Sequence, residues 1–124
     1  NLVKDNVVVV HTSDLTVDSK IISQILFENE LSKTQFLSKI SEYLATLTKR
    51  VLFNRDAILI TVGGETSFKC CKAINSNSLQ IIDAICPAIP LCLDTKAQWV
   101  VTKSGNLGNS NALIDILKYF EHHE

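Results

Sequence analysis

Two short Gly-rich stretches hold the residue types best suited to chemistry. The first is Gly63-Gly64-Glu65-Thr66-Ser67, which follows the apolar run Ala57-Ile58-Leu59-Ile60-Thr61-Val62 and opens what reads as a helix to about Ile74. Paired glycines after a strand permit positive φ and let a ligand come close to the backbone. A helix start then supplies free N–H groups and a positive dipole end, which together favour anions. Thr66 and Ser67 add hydroxyl donors. Glu65 fits three roles: holding a metal-bound water, orienting a ribose hydroxyl or capping the helix. Taken alone, Gly-Gly between a strand and a helix reads first as a tight connection. The second stretch is Lys103-Ser104-Gly105-Asn106-Leu107-Gly108, delivered by the strand Gln98-Trp99-Val100-Val101-Thr102. Lys is a common point-charge partner for phosphate, and glycine amides form anion-binding concavities. The G-x-x-x-x-G-K-[ST] order of a P-loop is absent. Alone, this stretch reads first as a solvated Lys in a Gly-rich loop. Two such turns at the same sheet edge weaken the case for coincidence.

The remaining reactive side chains point elsewhere. Cys70, Cys71, Cys86 and Cys92 contain no C-x-x-C pair, and adjacent Cys70 and Cys71 are poorly placed to share one tetrahedral metal. They read as small buried apolar residues, which makes a reducing cytoplasm the simplest compartment. His11 ends an apolar run and reads as a near-core histidine. His122 and His123, beside Glu121 and Glu124, read as solvated. No Ser-His-Asp or Cys-His set has a recognisable motif. No protein-built metal site and no catalytic residue is assigned.

The elements that would position the two turns follow from periodicity. Asn6 to Thr12, with four consecutive Val, reads as a strand buried on both faces, followed by the turn residues Thr12-Ser13-Asp14. Ile21, Ile22, Ile25 and Leu26 have helical spacing within Asp18 to Asn29. Ser32 to Val51 is the clearest helix: Phe36, Leu37, Ile40, Tyr43, Leu44, Leu47 and Val51 share one face, and Lys49 and Arg50 suit its last turn. Leu79 to Ile85 reads as a third strand. Pro87 and Pro90 are expected to stop regular structure, and Pro87-Ala88-Ile89-Pro90 reads as a plain inter-strand loop. A last helix, about Asn109 to Phe120, places Leu113, Ile114, Leu117 and Phe120 on one face. The order β-α-α-β-α-β-β-α argues an α/β layered domain with a mostly parallel or mixed sheet flanked by helices. Such sheets bind ligands outside the carboxyl ends of their strands, where both Gly-rich turns fall.

Composition narrows the function classes. The 124 residues amount to one domain, with 46% hydrophobic and 20% charged residues. A net charge of −1 gives no basic field for nucleic acid, and 6% aromatic content gives no stacking stripe. No apolar run is long enough to span a membrane. The opening Asn1-Leu2-Val3-Lys4-Asp5-Asn6 is polar, which argues against a leader. The absence of Met leads to the expectation of a fragment or processed piece.

The phrases I-L-I-T-V-G-G-E-T-S, P-A-I-P and V-V-T-K-S-G-N-L-G, in this order from about Asp5 to Phe120, resemble the C-terminal nucleotide-binding domain of the four-carbon acid sugar kinase family. The family pattern resembled is a strand, G-G-[ED]-T-S, a P-G-x-P loop, then K-S-G-x-F-G and a closing helix. Ala88 stands where the family has Gly, and Leu107 where it has Phe. The resemblance implies that Gly63, Gly64, Glu65, Thr66 and Gly105 contact ATP. Lys103 and Ser104 join them as phosphate contacts on residue chemistry. It also implies an ATP- and Mg²⁺-dependent kinase acting on tetronates or 3-oxo-tetronates. The substrate domain and catalytic residue are then expected in an N-terminal part outside these residues.

Three functions are therefore carried forward: the nucleotide portion of a sugar-acid kinase, a non-catalytic regulatory module for nucleotides or phosphorylated metabolites, and a fragment inactive on its own. An exposed apolar edge at Val7 to Val10 would invite pairing with another chain, so a homodimer is an expected partner state.

Overall fold

The computed structural model describes residues 7–10, 19–104 and 111–122. Its elements are α1 (Ser19–Glu28), α2 (Lys33–Leu52), β1 (Leu59–Val62), α3 (Gly64–Ala73), β2 (Leu79–Cys86), β3 (Ile89–Asp94), β4 (Trp99–Lys103) and α4 (Ala112–His122). The four strands form one sheet in the order β1-β4-β3-β2. Only β1 and β4 run parallel; β2 with β3 and β3 with β4 are antiparallel. The domain is thus an α/β layered fold on a mixed sheet.

The expected first strand does not form within the described residues. Val7 to Val10 lie in no strand and are exposed, Val8 at 84%. β-branched residues favour a strand only when a neighbour supplies hydrogen bonds and a surface to pack on, and no ladder reaches these four. The rest of that expected strand, with His11 and the turn after it, lies outside the described residues, as do His123 and Glu124.

The start of α2 follows from its sequence. Ser32 Oγ accepts from the Gln35 N–H at 3.1 Å, and Gln35 Oε1 accepts from the Ser32 N–H at 2.9 Å, a reciprocal capping box. The expected apolar face is rotated. Tyr43 is 62% exposed, while Ser41 and Ala45 are the buried residues of the helix. Small side chains there let α3 pack closely, and Thr48 Oγ1 donates to Cys70 Sγ at 3.4 Å across the contact.

Proline does not break the chain where expected. β2 and β3 form a hairpin through Pro87-Ala88, and Pro90 lies inside β3. Pro90 sits opposite Ala84, beside a register shift, and just beyond the Leu91 to Leu93 segment that pairs with β4. Its missing N–H therefore costs no ladder bond to β4. Ala88 adopts φ +67°, the conformation that a turn with Pro at its first central position asks of the second.

Alternation along β4 separates two cores. Val101 packs with Ile89, Leu91, Ala112 and Ile116 under α4, flanked by Trp99, Tyr119 and Phe120. Val100 is fully buried and pairs with Cys92 on the opposite face, where Cys71 of α3 lies near Cys92 and Asp94. Cys70, Cys71 and Cys92 are buried and all four thiols are free, in keeping with small apolar packing residues. The β3–β4 connection is organised by buried Asp94. Its carboxylate accepts from the Ser76 hydroxyl and from the N–H groups of Lys96 and Gln98, both at 2.8 Å.

Candidate functional site

The parallel pairing of β1 with β4 decides where the two Gly-rich turns go. Val62 stands opposite Lys103, so both strands end at the same level, one ladder spacing of about 4.8 Å apart. The next backbone bond closes the gap: the Gly63 N–H donates to the Lys103 carbonyl at 2.8 Å. Some 40 residues of sequence separate turns that touch through the main chain.

Gly63 is the N-cap of α3, with φ +98° and ψ 138°. That backbone is one L-residues avoid, and it turns the chain from strand into helix within a single residue. The first helical turn is pinned from below. The Ser67 N–H and Oγ both donate to the Gly63 carbonyl, at 2.9 and 2.7 Å, and Ser67 Oγ shares a 2.6 Å hydrogen bond with Thr61 Oγ1. Thr61 is 4% exposed, so the Ser67 hydroxyl is anchored in the sheet rather than offered to a ligand.

The amides of Gly64, Glu65 and Thr66 occupy the first turn of α3, where helix geometry provides no acceptor within the helix. A Cβ added at Gly64 would meet nothing within 4 Å among the described residues, so the space beside this residue is unfilled by them. Thr66 is half-buried and Glu65 exposed. The Glu65 carboxylate lies 3.5 Å from Lys69 Nζ, one turn further along the helix. It therefore faces away from the role of helix cap, one of the three its sequence position allowed.

On the neighbouring strand end, Lys103 is half-buried, and its Nζ donates to the Ser104 carbonyl at 3.1 Å. Ser104 is exposed. Gly105, and the Asn106-Leu107-Gly108 that follow it, lie outside the described residues. The fold thus brings Gly63, Gly64, Glu65, Thr66, Lys103 and Ser104 to one edge of the sheet.

The buried thiols behind the sheet are not nucleophiles. Burial first, and then the neighbouring Cys70, Cys92 and Asp94, push the Cys71 thiol above its ordinary value; burial alone does the same for Cys92. Both remain protonated at neutral pH, so neither supplies a thiolate. Among the described residues no group of three His, Cys, Asp or Glu could hold a metal, and no helix is long and apolar enough to cross a membrane. Lys69 was not singled out from sequence. The available signal was its position four residues after Glu65 in a helical stretch.

Residues 1–113 match the model of the nucleotide-binding C-terminal domain family, and the chain belongs to that family. No curated protein matches it. Similar solved structures include a domain of unknown function (DUF1537) from Bordetella bronchiseptica, crystallised with bound citrate as a domain-swapped dimer. It has 26% identity and a TM-score of 0.59, over 65% of this chain and 21% of that one. A Haemophilus influenzae protein of the same DUF1537 family has 23% identity and a TM-score of 0.65, covering 86% of this chain and 25% of its own. A Salmonella typhimurium LT2 protein, provisionally described as a tRNA synthase, has 21% identity and a TM-score of 0.67, covering 82% and 24%. These likenesses establish the shared fold. The chain spans about a quarter of the length of these relatives.

Proposed function

We propose that this chain is the nucleotide-binding portion of an ATP-dependent kinase that phosphorylates four-carbon sugar acids, tetronates or 3-oxo-tetronates. The observation that carries the reading is the Gly63–Lys103 backbone bond, which sets an open helix N-terminus beside a strand-end lysine. Polyphosphate suits that arrangement on three counts. The free amides and dipole of α3 favour negative charge. The space over Gly64 admits close approach. Lys103 adds a cation at the same sheet edge.

In this reading Gly63 shapes the turn, and the amides of Gly64, Glu65 and Thr66 hold phosphate oxygens. Lys103 and Ser104 lie against the same phosphates at the end of β4, and Gly105 is assigned to ATP from its place in the sequence motif. Mg²⁺ would arrive with the nucleotide, held by phosphate oxygens and water, and no residue of this chain is assigned to it. Bound Mg-ATP would supply the transferable γ-phosphoryl group. This chain's residues bind and orient it, which is most of what a protein contributes to phosphoryl transfer. The sugar acid and the group that accepts its hydroxyl proton belong to the remaining part of the parent protein. A cytoplasmic location, favoured by four free thiols, and a homodimer complete the proposal.

The test is ADP release by the intact protein with Mg-ATP and a set of four-carbon sugar acids. We expect release that depends on one of these acids and is lost in Gly64→Val, with melting temperature retained. Sugar-acid-independent behaviour, or Mg-ATP affinity unchanged in Gly64→Val, refutes the assignment.

A further inference from the structure

Lys69 is the most heavily engaged cation near the two turns. Its side chain is only 23% exposed. The Nζ donates to Ser38 Oγ at 2.7 Å and to the Ser38 carbonyl at 3.5 Å, both on α2. It also lies 3.5 Å from Glu65 and 3.8 Å from Glu42. Three of these partners hold the ammonium on α2; the fourth, Glu65, is in the first turn of α3.

The position of Glu65 makes that fourth contact consequential. Side chains on a helix lean toward its N-terminus. A free carboxylate at Glu65 would lean over the first-turn amides and be held there by the positive end of the helix. That is the space a phosphate needs, and a carboxylate in it opposes an anion both by occupancy and by charge. Lys69, fixed by Ser38, draws the carboxylate the other way, along the helix toward α2.

Resting on the nucleotide reading of the turns, we infer that Lys69 is a positioning residue that holds the Glu65 carboxylate off the α3 N-terminus and so keeps the amide site open to phosphate. It touches no ligand itself. Its effect on affinity passes through Glu65, which separates it from a lysine acting as one more positive charge.

The experiment is a double-substitution cycle in the intact protein, read as ATP affinity by calorimetry without and with Mg²⁺. Lys69→Met is expected to weaken ATP binding by roughly 3- to 10-fold. The same change made in Glu65→Gln should have little effect, because no carboxylate is left to swing. Lys69→Arg should retain wild-type affinity, since it keeps a cation beside Ser38 and Glu65. An equal loss in both backgrounds overturns the inference and makes Lys69 a simple charge or a packing residue. An unchanged affinity in Lys69→Met overturns it as well. A crystal structure of Lys69→Met gives a readout that needs no nucleotide: the Glu65 carboxylate should move toward the Glu65 and Thr66 amides. If it stays in place the inference fails even where ATP binds. If it moves while wild-type protein binds no ATP, the nucleotide reading alone fails.

Discussion

Gly63 and Gly64 are neighbours in the same motif, yet their backbones differ, and substitution by alanine should separate the conformational demand at Gly63 from the binding role proposed for Gly64. At Gly63 an added Cβ would meet only Thr66 Oγ1, at an ordinary 3.9 Å, so there is no clash to relieve. The cost is conformational: φ +98° is a backbone that L side chains rarely adopt, and holding alanine there costs about 1–3 kcal/mol. For a domain of this size that is a fall of roughly 3–15 °C in melting temperature. At Gly64 the backbone is not in the positive-φ region and a Cβ meets nothing. Alanine is the better helix former by up to ~1 kcal/mol, so Gly64→Ala should leave the melting temperature unchanged or slightly raised. Its methyl would instead stand in the path of a phosphate. Losing one charge-assisted hydrogen bond, about 1.5–3 kcal/mol, weakens ATP roughly 10- to 100-fold. Thermal melts and ATP calorimetry on both variants are the assay. If Gly64→Ala melts as low as Gly63→Ala, or binds ATP as wild type does, the division of labour argued from the backbone is wrong.

Two further perturbations test the frame around the site. Ala88 holds φ +67° in the β2–β3 turn, so Ala88→Gly should stabilise the fold by about 0.5–1 kcal/mol net of glycine's greater unfolded freedom, seen as a higher urea midpoint. Burial of Asp94 by itself would raise its pKa, but hydrogen bonds from Ser76, Gln98 and Lys96, with the Lys96 charge, outweigh that and hold it below the ordinary 3.8. A carboxyl depressed on folding contributes stability that is complete above its unfolded value and is lost as pH falls through the folded one. Asp94→Asn should therefore flatten the acid limb of a stability–pH curve below about pH 4, at a cost of about 1 kcal/mol at neutral pH.

The helices and three of the strands were legible because their signals are local. Ser32 with Gln35 marks the start of α2, and the apolar run ending at Val62 meets Gly63-Gly64 as a strand meets a helix. The strand ends that carry the two Gly-rich stretches, at Val62 and Lys103, were legible for the same reason. What failed depends on neighbours. Four valines read as a buried strand, but no ladder reaches Val7 to Val10. Pro90 read as a terminator, yet it tolerates β3 because pairing with β4 begins one residue later. The face of α2 was misjudged because Ser41 and Ala45 are buried for their smallness, which hydropathy does not score. Lys69 escaped notice because its meaning lies in Ser38 on another helix.

The bond from the Gly63 N–H to the Lys103 carbonyl has an evolutionary side. Because the register of the two turns is carried by main-chain atoms, almost any side chain can occupy positions 65, 66, 103 and 104 without moving one turn against the other. The spacing is inherited from the sheet, while charge and hydroxyl content vary independently on each side. If the proposed site is the one used, it can be retuned one residue at a time toward another ligand, with no intermediate that loses its geometry.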